Sequence, residues 1–273
     1  MKSILICFFF CLPAFTFAEG KLDKIKKETK KEKKDKPSKN QHHNHHHHNS
    51  SSDDVVDSFL FELAWYTILS IYGIPHHYID SGESASFSKY PYHPDELSQG
   101  YLTINEPDTS TFFSLHTSLE SKFYADNVVG YGTHLNFYSA FRIDVLTDYT
   151  YLTENIDDDE TSSLTLGSAN LTIRFAQNEF IQMRSGLGIN FLLDKESSTS
   201  GINFIYAIDL YPVKPIFFSL RFDGGALGSA GYARLRGLIG VTYKHFEINT
   251  GFELIGIGDE SLNGVILGFK ITF

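Results

Sequence analysis

From Thr111 to Phe273 apolar and polar side chains alternate with a period of two, and turn-forming runs interrupt the alternation at intervals. A strand presents successive side chains to opposite faces, so this period predicts strands with two unlike surroundings. Ten segments carry it. In the first, Phe113, Leu115 and Leu119 alternate with Ser114, His116, Ser118 and Glu120. In the third, Phe141, Ile143, Val145, Tyr149 and Tyr151 face one way while Arg142, Asp144 and Asp148 face the other. In the seventh, Ile216, Phe218, Leu220 and Phe222 oppose Ser219, Arg221 and Asp223. The last runs Val265, Leu267, Phe269, Ile271, Phe273 against Gly268, Lys270 and Thr272.

The gaps between segments alternate in length. TENIDDDETSS, LDKESSTSG, GGALGSAG and GIGDESLNG follow the third, fifth, seventh and ninth, whereas SA, AQNE, PVKP and YKH join the others. Short turns on one side and longer loops on the other are the habit of transmembrane barrels. The predicted fold is therefore all-β, an antiparallel up-and-down transmembrane β-barrel of about 10 strands (8–12) over residues 111–273, in which lipid meets the apolar face and the lumen holds the polar one. An even strand count puts both barrel ends, and the chain before them, on the short-turn side, which is periplasmic in such proteins.

Residues 1–110 divide differently. Lys2, the apolar run from Ile4 to Phe17 and the small residues around Ala18 have the form of a signal peptide over residues 1–18. Both cysteines, Cys7 and Cys11, lie inside it, so the exported chain has no disulfide or thiol chemistry. Residues 19–54 are rich in Lys and His and nearly free of apolar side chains, which predicts a disordered tail. Its histidines His42, His43, His45, His46, His47 and His48 serve as a solvated tether or as ligands for Zn, Ni or Cu, and the sequence leaves both open. Residues 55–110 open with an apolar helix capped by Asp53 or Asp54 and stopped by Gly73 and Pro75, after which a connector carries one strand at Tyr101–Asn105.

Charge sharpens this division. Glu19 to Ser52 hold 10 Lys against 5 acidic residues, whereas Asp53 to Phe273 hold 12 basic against 28 acidic ones. An acidic main body excludes a nucleic-acid binder, which needs a basic face for phosphates.

The ending Val265-x-Leu267-x-Phe269-x-Ile271-x-Phe273 resembles the assembly signal of bacterial outer-membrane β-barrel proteins. That resemblance covers about Thr111 to Phe273 and implies a Gram-negative-type outer membrane, contact with its lipid, and recognition of Phe269, Ile271 and Phe273 by the barrel-assembly machinery. SANLTxRFAQ from Ser168 and YxIDxYP from Tyr206 are similar to a poorly characterised small-barrel group, and that likeness supplies no catalytic residue.

The predicted lumen carries Lys122, Arg142, Arg174, Arg184, Arg221, Arg234, Arg236 and Lys270 against Glu120, Asp144, Asp148, Asp209, Asp223, Glu247 and Glu253. Near-equal numbers predict cross-lumen pairing, because a buried charge needs a partner. Eight strands already fill with side chains and wide channels need about sixteen, so ten should be closed or nearly so. The leading reading is a non-enzymatic barrel, structural or adhesive, or a narrow pore. The alternative is a hydrolase acting on lipid or peptide, built from Ser114, His116, His134 and Asp144. The acidic run Asp157–Glu160 reads as a solvated loop, with divalent-cation binding as its functional alternative.

Overall fold

The computed structural model describes residues 20–30, 80, 85–92, 100–104, 111–157, 160–195 and 197–273. A helix α1 (Lys21–Lys30) and two short strands, β1 (Ala85–Phe87) and β2 (Leu102–Ile104), precede ten longer strands. These are β3 (Phe113–Tyr124), β4 (Val128–Ser139), β5 (Ile143–Asp157), β6 (Glu160–Gln177), β7 (Ile181–Leu193), β8 (Ser198–Val213), β9 (Ile216–Leu227), β10 (Ala230–Tyr243), β11 (Phe246–Ile257) and β12 (Glu260–Thr272).

Each of the ten pairs antiparallel with its sequence neighbours, and β12 closes on β3 with Gly268 opposite Glu120 and Lys270 opposite Ser118. Closure leaves no strand edge with unpaired backbone groups. No helix among the described residues is long and apolar enough to cross a membrane, so any crossing by these residues is made by strands.

Burial is inverted relative to a water-soluble protein. On β3, Phe113, Leu115, Leu119 and Phe123 point outward and are exposed, while Ser114, His116, Ser118, Glu120 and Lys122 point inward and are buried. The same division holds on β9, where Phe218 and Leu220 are exposed and Asp223 is buried, and on β11, where Ile248, Phe252 and Leu254 are exposed and Glu247, Asn249 and Glu253 are buried. Lipid solvates the outer set and the charged residues solvate one another.

The barrel has two mouths. At the proximal one β3 begins, β12 ends, and turns at 140–142, 178–180, 214–215 and 244–245 join strand pairs. At the distal one lie the turns 125–127, 228–229 and 258–259, and Asp157 pairs with Glu160. The expected long distal loops are shorter than the pattern implied: most of TENIDDDETSS, GGALGSAG and GIGDESLNG, and about half of LDKESSTSG, continue the strands. Backbone pairing persists there although lipid-style alternation stops, because the ladder requires only hydrogen-bond partners.

Two further expectations are corrected. The disordered tail predicted for 19–54 does not hold at Lys21–Lys30, which form α1, and α1 occupies the distal mouth, opposite to the short-turn side. Its order comes from docking rather than composition: Leu22 and Ile25 are fully buried among barrel residues. The connector expected to carry one strand holds two, since β1 pairs with β2 through Phe87 and Leu102. The signal peptide, the histidine run and the 55–73 helix lie outside the described residues.

Candidate functional site: the charged lumen

Inward positions from facing strands bring ionic side chains together in three groups. At mid-barrel, Arg234 on β10 donates to both oxygens of Asp148 on β5 at 2.8 Å and through Nε to Asp223 on β9 at 3.0 Å. Arg221 on β9 donates to Asp148 at 2.9 Å and to Asp223 at 2.8 Å. Because β5 stands opposite β9 and β10 around the barrel, two arginines and two aspartates form a tie across the lumen. Ser168 donates to Asp148 at 2.6 Å and Asn203 to Asp223 at 3.2 Å, so both carboxylates have further donors. Four charges so enclosed, three of them buried and Arg221 nearly so, are mutually dependent, and removing one strands its partners.

A second group lies beside this tie. Lys122 donates to Glu253 on β11 at 3.0 Å and to Thr150 on β5 at 3.0 Å, and Tyr124 donates to the same Glu253. Arg236 donates to Glu120, and His134 Nε2 lies 2.9 Å from Glu120 Oε2 and 2.8 Å from Arg236 Nη1.

Toward the proximal mouth, Arg174 donates to Asp144 at 2.6 Å and Arg184 pairs with Asp209 at 2.7 Å. Lys270 pairs with Glu247 and stands 4.9 Å from the centre of the Phe217 ring. The β1–β2 unit caps this end: Phe87, Tyr101 and Leu102 are buried against Tyr138, Leu146, Ile205, Tyr211 and Phe217. Arg174 lies 5.1 Å from the Phe87 ring centre, within range for a cation–π contact.

Between the cap and the tie remains a cavity of about 90 Å³, lined by Arg184, Arg221, Arg236, Lys270, Glu120, Asp209, Glu247 and both His116 and His134. It has room for on the order of six water molecules. Among the described residues, His116 Nε2 and Asn249 Oδ1 are buried without a hydrogen-bond partner, and both residues line it.

At the distal mouth the lumen turns apolar. Leu152, Leu164, Leu192, Leu227, Ile257 and Leu262 form a cup filled by Leu22 and Ile25 of α1. Burying each such side chain contributes roughly 1.5–3 kcal/mol. Asp23, at the rim, accepts from Ser162 at 2.8 Å and Lys26 at 3.1 Å. Burial pushes its carboxyl up, but those two donors and the nearby lysine charges outweigh burial and hold it below the usual carboxylate value.

Fourteen of the fifteen charges assigned to the lumen by alternation point inward and are drawn into these groups. Arg142 does not. It sits in the proximal turn before β5 with φ of 66° and pairs with Asp80 at 3.0 Å, both side chains partly exposed, because the alternation that places Asp144 begins only at Ile143. Ser114, His116, His134 and Asp144 are not assembled for hydrolysis. The Ser114 hydroxyl is hydrogen-bonded to Tyr101, His116 packs between the Tyr101 and Tyr138 rings, His134 faces Glu120, and Asp144 holds Arg174. Alternation could not find the two caps, which come from segments without it.

A closed ten-stranded antiparallel barrel with an apolar exterior and a charge-paired interior is a transmembrane β-barrel. No family model matches the sequence, and no curated protein matches it. Solved structures similar to it include three bacterial barrels. The N-terminal β-barrel domain of Pseudomonas aeruginosa OprF aligns at a TM-score of 0.32 and 12% identity over 59% of this chain and 97% of that one. The KdgM porin aligns at 0.28 and 7% over 58% and 99%. Ail, the attachment invasion locus protein of Yersinia pestis, aligns at 0.27 and 14% over 59% and 96%.

Proposed function

We propose that this chain is a non-enzymatic outer-membrane protein whose barrel is a closed structural or adhesive platform rather than an open channel. The observation that carries this reading is the tie of Arg221 and Arg234 to Asp148 and Asp223 across the lumen. Side chains that pair across the axis occupy the path a solute would take, and the β1–β2 unit and α1 cover the two ends. The distal mouth faces the cell exterior in this reading, and Phe269, Ile271 and Phe273, with Phe273 bonded to Leu115 through both backbone groups, form the end that the assembly machinery takes up.

Purified protein reconstituted into planar bilayers tests the reading. Silence across a voltage ramp is expected. Stepwise conductance in the wild-type protein would replace the closed platform with a narrow pore.

A further inference from the structure

We propose that the distal mouth is a receptor site for a lysine-rich amphipathic helix, filled in the resting chain by α1 and open to such a helix from another molecule once α1 is withdrawn. Inward side chains elsewhere in this barrel are mostly charged or polar, yet at this mouth Leu152, Leu164, Leu192, Leu227, Ile257 and Leu262 form an apolar cup. A cup that opens toward water needs an occupant. The rim is acidic. Glu154 accepts the first two backbone N–H groups of α1, from Lys21 at 2.7 Å and Leu22 at 2.8 Å. Glu260 pairs with Lys21 at 2.7 Å and Asp194 with Lys26 at 3.3 Å.

These contacts read a pattern more than a sequence. The cup takes apolar side chains at i and i+3, Glu154 takes any helix N-terminus, and the remaining carboxylates take lysines around the exposed face. Gly228 and Gly258, both with positive φ, clear the rim beside the last turn of the helix: a Cβ at Gly228 would come within 2.6 Å of the Thr29 carbonyl oxygen, and one at Gly258 within 3.3 Å of Glu28 Cβ. α1 itself is a weak tenant. Ten residues with five lysines do not hold a helix alone, so α1 is ordered only while docked, and a better helix presented from outside competes with it.

The test uses the full-length protein in an uncharged detergent, with heat-modified mobility confirming the barrel. In the Leu22→Asp, Ile25→Asp double variant α1 loses its anchors and the cup is free. Three fluorescent peptides are titrated by anisotropy: residues 20–30 of this chain, a designed Leu/Lys helix with apolar positions at i and i+3, and a scramble of the first. The first two are expected to bind the double variant about tenfold tighter than wild type and tighter than the scramble. Adding Glu154→Gln and Asp194→Asn should remove most of that gain. Binding by the chain's own peptide alone would make the mouth a private seat for α1 and overturn the proposal, as would equal binding of the scramble or no binding at all.

Discussion

Arg234 on β10 and Asp148 on β5 meet across the lumen in a two-pronged pair, with both contacts at 2.8 Å and both side chains buried. Replacing Arg234 with Ala leaves Asp148 with Arg221 and leaves Asp223 short of one donor. Breaking a buried pair this way typically costs about 3–5 kcal/mol. The heat-modified transition on gels should fall clearly. Replacing Arg234 and Asp148 together with Met and Leu should cost less, since no buried charge of that pair is stranded.

Leu220 and Ser219 are neighbours on β9 that face opposite solvents. Leu220 is exposed to lipid and Ser219 lines the cavity. Leu220→Arg is expected to destabilise by about 2–4 kcal/mol at the membrane midplane. Ser219→Asn should be mild. Unfolding midpoints of the two variants check the assignment of faces, and a harmless Leu220→Arg would invert it.

The strands were legible where lipid and lumen impose opposite demands. At Ile216 to Asp223 the outward residues are apolar and the inward ones polar, so the period of two is visible in the letters alone. Beyond the belt the demand reverses. On β5 and β6 the outward Thr153 and Ser163 are polar, while the inward Leu152 and Leu164 are buried under α1. Strand continues there with its contrast inverted, and the sequence reads it as loop. α1 was illegible for a related reason: Leu22 and Ile25 are two apolar residues in a lysine run, and their counterpart cup is spread over strands distant in sequence. The pairing of lumen charges was predictable in number, but which arginine meets which aspartate depends on strand tilt and register, which no local pattern encodes.

Arg142 tests the turn against the lumen. It pairs with Asp80 at 3.0 Å with both side chains partly exposed. Partly exposed pairs contribute about 0–1 kcal/mol. Arg142→Ala should therefore shift the unfolding midpoint far less than Arg234→Ala. Equal losses in the two variants would return Arg142 to the charged interior.

Docking of α1 should weaken in acid, and Asp23 supplies an identifiable part of that dependence. Its carboxylate accepts from Ser162 on β6 and from Lys26, and these donors hold its carboxyl below the usual value. The sign follows from linkage. A carboxyl whose value is depressed on docking contributes stability that is full above the undocked value, about 4, and is lost as pH falls through the depressed one. Glu154, Asp194 and Glu260 also face α1, so the wild-type curve alone does not isolate Asp23. A comparison does. With an environment-sensitive dye on Lys24→Cys, fluorescence is followed from pH 7 to pH 2.5 in otherwise wild-type protein and in Asp23→Asn. The first should keep α1 docked until pH falls below about 4. Asp23→Asn should be looser at neutral pH and should lose the part of the transition that Asp23 supplies, so the two curves converge in acid. Curves that superimpose from pH 7 downward would show that Asp23 takes no part in holding the helix in the mouth.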